Sequence, residues 1–180
     1  MTRGGGNTPC GVCGGTCWRD ARPHPLEFKV SIGIIGNTMK KRPKVVIDTN
    51  VLVAGLRSRH GASFKLLSQL ERDVYELCLT VPLLMEYEDV LSRKGMVPLG
   101  QRDVNAILDM VCRVATAQEI HFLWRPQLRD PKDELVLEAA VNSAASHLIT
   151  HNLADFAPAH RFNVRVVSPR DFLSLQPGEP

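Results

Sequence analysis

The sequence predicts an α/β fold in which helices cover both faces of a parallel sheet. Residues 45–47, Val-Val-Ile, form a continuous β-branched run, which is typical of a strand that is buried on both faces. Short strand-like segments then alternate with amphipathic helical segments, as they do in parallel sheets. Because such sheets bind ligands beyond the carboxyl ends of their strands, we expect the functional residues at those positions.

The first half of the fold contains two predicted strands and three predicted helices. Phe64, Leu67 and Leu70 have the spacing of one helix face, and Thr80 is predicted to cap the next helix, which has Pro82 in its first turn. In chain order the elements are a strand at 45–47, a helix at 63–72, a strand at 75–79, a helix from 80 to about 93 and a helix at 102–112.

The second half is predicted to add one more long helix, two strands and a short terminal helix. Asp130 is predicted to cap the long helix, with Pro131 at its first position and Asp133 in its first turn. In chain order the elements are a segment at 114–120 that fits a strand or an extended loop, a helix from 131 to about 145, strands at 147–150 and 164–167, and a helix that starts at 168–169.

Residues 1–38 are predicted to form no fold of their own. They are rich in glycine and lack apolar periodicity, which indicates a disordered or weakly ordered leader, or an extension from a misplaced start codon. Met39 directly precedes the first strong strand, so the domain is predicted at 39–175, with a tail at 176–180. A zinc site is the alternative for the leader, but its second ligand pair is poorly formed. Its ligands would be Cys10, Cys13, Cys17 and His24.

Composition excludes several classes of protein. The chain has 180 residues, 44% hydrophobic and 23% charged, and its net charge of +3 is too small to indicate nucleic-acid binding by itself. No stretch approaches the roughly 18 apolar residues that span a bilayer. Five cysteines form no even disulfide framework, which favours the reducing cytoplasm. A membrane protein and a disulfide scaffold are therefore not expected.

Several acidic residues end or follow the predicted strands. Asp48 ends the most buried strand, where an ionised carboxylate is costly unless it is paired or binds a cation; alternatively, Asp48 caps the following helix. Asp133 lies where the helix dipole favours its ionised form, but it could also reach back to the cap. Glu86 and Glu88 lie at opposite edges of an apolar helix stripe, and periodicity does not choose between them.

Two polar residues follow the strand at 147–150. Asn152 and Asp155 lie just beyond its end, although both residue types are also frequent in ordinary turns. His151 is a candidate ligand or a surface residue. Arg57, Arg59 and His60 follow the helix that Asp48 would cap, where they could meet phosphates or form a solvated loop.

The acidic residues together favour a metal-dependent hydrolase. The chain has no glycine-rich phosphate loop and no Gly-x-Ser-x-Gly elbow. Clustered carboxylates repel one another unless a divalent cation neutralises them, and oxygen ligands suit Mg²⁺ or Mn²⁺. Since such a metal can generate hydroxide and stabilise phosphoryl displacement, the predicted reaction is phosphodiester hydrolysis.

Four segments in this order resemble the PIN-domain family, in particular the VapC-like toxins of toxin–antitoxin systems. The resemblance covers about residues 44–173, and it rests on residues 45–52, 86–91, 130–133 and 149–156. It implies a three-layer α/β/α sandwich with a central parallel sheet, and a ribonuclease that uses Mg²⁺ or Mn²⁺. It also implies an RNA substrate, a small antitoxin partner and a homodimer as one oligomeric form.

The resemblance also implies roles for individual residues. Asp48, Glu86 and Asp133 match the family's catalytic, metal-binding acids, which selects Glu86 over Glu88. Asn152 falls on a fourth metal-binding position where many members have Asp, and Asp155 could substitute for it. The remaining match, Asn50, would support the geometry of Asp48.

Two other functions compete with the ribonuclease. Asn152 motivates a non-catalytic PIN-like module that binds RNA or a protein. A phosphatase with Asp48 as nucleophile would resemble the haloacid-dehalogenase pattern, which has a second Asp two residues later. Asn50 stands at that position, which disfavours the phosphatase.

Overall fold

A parallel five-stranded sheet lies at the centre of the computed structural model, which describes residues 42–123 and 125–176. The strand order is β3-β2-β1-β4-β5. The strands are β1 (Lys44–Ile47), β2 (Glu76–Leu79), β3 (Thr116–Ala117), β4 (His147–Ile149) and β5 (Arg165–Val167). Because β1 pairs with both β2 and β4, its β-branched residues are buried, as their sequence predicts.

Six helices accompany the sheet in the described part of the chain. They are α1 (Thr49–Arg57), α2 (Ala62–Leu67), α3 (Val81–Leu91), α4 (Gln101–Val114), α5 (Pro131–Asn142) and α6 (Pro169–Leu175). Short 3₁₀ turns occur at Leu70–Arg72 and Ala157–Phe162. None of these helices is long and apolar enough to cross a membrane.

Helices cover both faces of the sheet, so the predicted three-layer arrangement is confirmed. His147 shares one face with Leu77, since both residues pair with Val45, and its ring packs against Phe172 of α6 at 5.4 Å between centroids. Cys78 points to the opposite face, where it lies next to Ser143 at the end of α5. α2 contacts α1 and α6, whereas α3 contacts both α1 and α5.

One predicted helix is too long, and one observed helix was not given bounds. The helix predicted at 63–72 ends at Leu67, because the Ser68 hydroxyl caps the Lys65 carbonyl and the chain then turns. That turn ends at Asp73, which has a left-handed conformation with φ 61°. α1 is the helix that Asp48 was expected to cap. Its bounds were not predicted because its apolar residues continue the run of β1.

The predicted cap at Thr80 is wrong in one respect. Thr80 does occupy the cap position of α3, but its side chain makes no capping hydrogen bond, and its Oγ1 is buried without a partner in the described ranges. The segment 114–120 resolves into the two-residue strand β3 on the edge of β2.

The predicted leader lies outside the described residues. So do the boundary at Met39, the candidate zinc ligands Cys10, Cys13, Cys17 and His24, and all of the predicted tail except residue 176.

Candidate active site

Asp48 lies at the junction of β1 and α1, where it caps the helix and faces a cleft. Its Oδ1 accepts a hydrogen bond from the Asn50 backbone N–H at 3.4 Å, so the capping interpretation is correct. The residue is only 5% exposed, yet it is among those that line a cleft of about 430 Å³. The helix cap is therefore observed, whereas a cation at Asp48 stays a prediction.

Thr150 holds the Asp48 carboxylate from the neighbouring strand. Its hydroxyl donates to Asp48 Oδ2 at 2.6 Å, and it accepts from Asn50 Nδ2 at 3.2 Å and from the Asn152 backbone N–H at 2.9 Å. A hydroxyl has one donor and two acceptor sites, and all three are used here. Sequence reasoning gave Thr150 no role; a polar residue at the end of a buried strand was the available signal.

Asn50 connects the same network to the loop after β4. Its side-chain amide donates to Thr150, and its Oδ1 accepts from the His151 backbone N–H at 3.3 Å. Asn50 thus acts on Asp48 through its own backbone N–H and through Thr150. The His151 ring is hydrogen-bonded to Ser63 Oγ at 2.8 Å, which ties α2 to this loop.

The cleft brings together the three carboxylates that the sequence selects. Asp48 comes from the end of β1, Glu86 from α3 and Asp133 from the first turn of α5. Asp130 also lines the cleft, while its Oδ1 caps α5 by accepting from the Lys132 backbone N–H at 2.9 Å. Glu88 is exposed on α3 and is not among the lining residues.

Three cations also line the cleft, two of which sequence reasoning missed. Lys132 Nζ lies 3.0 Å from Glu86 Oε1. Arg93 forms an ion pair with Asp89 one helical turn before it. Arg57 completes the set from the end of α1. Cations beside carboxylates at one edge of the sheet suit a ligand that carries negative charge.

Burial shifts the pKa of two acids of the cleft. Burial raises the pKa of Asp48, and the hydrogen bonds from Thr150 and from the backbone oppose that shift. Burial also raises the pKa of Asp133 to about 6, and the negative charges of Asp48, Asp130 and Asp155 add to the rise. The region around Asp133 therefore carries more negative charge than its cations offset.

Asn152 and Asp155 lie beside the cleft and not on its walls. Both are exposed, and Asn152 Nδ2 donates to Asp155 Oδ2 at 2.5 Å. The carboxylate of Asp155 is nevertheless near enough to raise the pKa of Asp133. A role for either residue at a metal stays a prediction.

The residue types of the cleft suit a hard divalent cation. Carboxylate oxygens are the ligands that Mg²⁺ and Mn²⁺ prefer, and such a cation would relieve the repulsion between Asp133 and the acidic residues near it. Within residues 42–123 and 125–176, however, no three His, Cys, Asp or Glu side chains are already grouped closely enough to hold a metal. Glu86 would have to leave Lys132 to complete the site.

The solved structures that are similar to the chain include the following two. One is a crystal structure of VapBC2 from Rickettsia felis bound to a DNA fragment from its promoter, with 16% sequence identity and a TM-score of 0.49 over 69% of this chain and 98% of that chain. The other is FitAB bound to the IR36 DNA fragment, with 16% identity and a TM-score of 0.48 over 69% of this chain and 94% of that chain. A comparison with curated protein sequences finds no match.

A protein-family model decides the family. The model described as PIN domain matches residues 44–154, from the first residue of β1 through the loop that follows β4. That range covers more than half of the chain and includes Asp48, Glu86 and Asp133. The chain therefore belongs to the PIN-domain family, whose members are generally nucleases.

Proposed function

We propose that this chain is an endoribonuclease that uses Mg²⁺ or Mn²⁺ to hydrolyse phosphodiester bonds of single-stranded RNA. The observation that carries the proposal is the convergence of Asp48, Glu86 and Asp133, from three separate elements, on one cleft. The cleft lies at the carboxyl edge of the parallel sheet, where ligands of such sheets bind.

The three acids hold the cation in this proposal. When bound, the metal supplies a hydroxide nucleophile and stabilises the charge that develops on the phosphate. Asp48 is kept in place by the Thr150 hydroxyl, so one ligand is oriented before the ion arrives. Asp133 enters from the first turn of α5, and Asn152 or Asp155 would complete the metal shell from the loop after β4.

The cations of the cleft bind the substrate. Arg57 lines the cleft without an ion pair to another described residue, so its guanidinium can donate hydrogen bonds to a phosphate oxygen. Lys132, once separated from Glu86, stays on the same wall with three N–H donors.

Cleavage by the purified full-length chain tests the activity. We expect single-stranded RNA to be cut with Mg²⁺ or Mn²⁺ and left intact with EDTA. Asp48→Asn and Asp133→Asn should abolish cutting. The matched control is Asp103→Asn, which removes an exposed carboxylate from α4 outside the cleft. Equal loss in the control, or cutting that persists in Asp48→Asn, would contradict the proposal.

The cellular role that we propose is that of a cytoplasmic toxin held by a small antitoxin protein. It rests on the resemblance of the motifs to VapC-like toxins. Expression of the chain should arrest growth, Asp48→Asn should not, and co-expression of a small neighbouring open reading frame should relieve the arrest. If cells that express wild type and cells that express Asp48→Asn grow equally well, the toxin role is contradicted, while the proposed nuclease activity is unaffected.

A non-catalytic RNA- or protein-binding module is the second candidate. Two observations favour it: Asn152 is engaged by Asp155, and Glu86 is engaged by Lys132. RNA binding without cleavage at any metal concentration would select it. The phosphatase is disfavoured, because the Asn50 amide is hydrogen-bonded to Thr150 and to the His151 backbone N–H. An amide cannot protonate a leaving group as a second Asp would.

A further inference from the structure

A second groove lies beside the cleft at the same edge of the sheet. It has a volume of about 390 Å³ and is formed by the α1–α2 turn, α2 and α6. α6 starts directly after the carboxyl end of β5, and Ser63 of α2 is bonded to His151, which follows β4. The start of α6 and the start of α2 therefore lie towards the edge of the sheet that carries Asp48.

The groove is lined by cations and by no acidic residue of the described ranges. Arg59, Lys65 and Arg170 line it, with His60 beside them. None of the first three side chains forms an ion pair with another residue of the described part of the chain. Since nothing in these ranges neutralises them, the three charges are available to an anionic ligand.

An aromatic side chain lies among these cations. Phe64 lines the groove and is 38% exposed, although it belongs to a helix whose other apolar residues pack inward. Cations that follow a backbone, with aromatic rings that stack on bases, are the features by which proteins bind single-stranded nucleic acid. An acidic peptide would satisfy the charges but would leave the ring without a stacking partner.

The groove lies close to the cleft. Arg57 lines the cleft and Arg59 lines the groove, and two residues of extended chain span at most about 7 Å. The hydrogen bond between Ser63 and His151 joins the groove to the network of Asn50 and Asp48. A strand that passes through the cleft would need only a few further nucleotides to reach Arg59.

We propose that this groove binds the sugar–phosphate backbone of the single-stranded RNA next to the cleaved bond, with Phe64 stacked on an unpaired base. The proposal rests on the ribonuclease function and adds the path of its substrate. It predicts that nucleotides on one side of the cleavage site contribute to affinity through phosphate contacts, independently of their sequence.

The salt dependence of RNA binding tests the charges. Binding of a labelled single strand of about 12 nucleotides to the full chain is measured by fluorescence anisotropy in EDTA, over a range of salt concentrations. Each phosphate contact adds about 0.7 to the slope of log affinity against log salt for single strands. Arg59→Gln combined with Arg170→Gln should therefore reduce the slope by about 1.4 and weaken binding about tenfold.

Matched variants distinguish the effect of the groove's arginines from that of the overall positive charge of the protein. Arg102→Gln combined with Arg165→Gln removes two exposed arginines from α4 and from the amino end of β5, and should leave the slope unchanged.

Phe64→Ala should weaken binding with no change in slope, because stacking releases no counterions. Phe122→Ala, at another exposed phenylalanine, is its control. With a strand of about 4 nucleotides, the groove variants and wild type should bind alike.

Each contrary result has a separate meaning. If wild type cuts RNA but the groove variants keep its slope of log affinity against log salt, the groove does not bind RNA and the proposed nuclease activity still stands. If the groove variants bind RNA normally but lose the binding of a polyglutamate peptide that wild type binds, the groove is a protein-docking site and the proposal is wrong. A wild type that neither binds nor cuts RNA overturns the proposed function itself.

Discussion

Lys132 Nζ lies 3.0 Å from Glu86 Oε1 and thereby links the start of α5 to the middle of α3 across the cleft. The Lys132 side chain is 51% exposed and that of Glu86 14%. An ion pair this open to solvent adds about 1 kcal/mol or less to stability. The main consequence of this ion pair is local, because the Lys132 ammonium is bound to one of the three carboxylates that would hold a metal.

Removal of this lysine should strengthen metal binding. In Lys132→Met no ammonium competes for Glu86, so we expect Mn²⁺ to bind about threefold to tenfold more tightly, as removal of one nearby positive charge allows. The measurement is calorimetric titration of the RNA-free chain with Mn²⁺. Lys94→Met, at an exposed lysine outside the cleft, is the control and should match wild type. Weaker Mn²⁺ binding in Lys132→Met would show that Glu86 is not a ligand.

Replacement of Thr150 should destabilise the protein through its hydrogen bonds. Thr150→Val keeps the side-chain volume but leaves Asp48 Oδ2 and the Asn152 N–H without the hydroxyl they bond. We expect a loss of about 1–3 kcal/mol in the free energy of unfolding, measured by urea denaturation in EDTA. Thr150→Ser should recover most of it, and Thr116→Val, at an exposed position of β3, should cost little. Equal stability of the Val and Ser variants would refute the network.

An added carboxylate after β4 should lower the metal requirement of cleavage. Asn152→Asp places a charge next to Asp155 and near Asp133, so the Mg²⁺ or Mn²⁺ concentration for half-maximal cutting should fall up to about tenfold, or about 1.4 kcal/mol. Asp155→Asn should raise that concentration if Asp155 serves as the fourth ligand. No change in either variant would place the loop outside the metal shell and leave Asp48, Glu86 and Asp133 alone in it.

Stability should fall in mild acid because of His147. Burial first, and the charge of Arg165 second, lower the pKa of its imidazole below 6.5. The ring packs on Phe172, and Nε2 has no partner in the described residues. The unfolded chain therefore takes up the proton at a higher pH than the folded chain does. The contribution of His147 is fully present above pH 6.5 and declines as the pH falls from there towards the folded pKa.

A comparison of variants isolates this effect from other titrating groups. The free energy of unfolding is measured in EDTA at pH 7.5 and pH 5.5. His147→Leu should lose less stability than wild type between these values, whereas His121→Leu, at an exposed histidine, should lose as much as wild type does. An identical loss in His147→Leu and wild type would contradict the assignment.

Deletion of residues 1–38 should leave the domain folded. An unpatterned leader buries little apolar surface, so the free energy of unfolding should change by less than about 1 kcal/mol. Urea denaturation of the two chains makes the comparison, together with RNA cleavage. A larger loss, or one equivalent of zinc in the full-length protein, would show that Cys10, Cys13 and Cys17 belong to a structured element.

Local sequence determined several of the elements and some of their ends. The run at 45–47 could only be a buried strand, and Asp130 followed by Pro131 fixes the first turn of α5, because capping and backbone restriction act within a few residues. The alternation of strands and helices then determined a parallel sheet and placed Asp48 at its carboxyl edge.

Only the tertiary structure decided which side chains meet there. Periodicity left Glu86 and Glu88 equivalent, and the position of α3 between α1 and α5 turned Glu86 to the cleft. Thr150 reaches Asp48 across 102 positions, because β4 pairs with β1. Lys132 reaches Glu86 across 46 positions. Such contacts depend on strand order and helix packing, which bring distant segments together, and no local propensity encodes them.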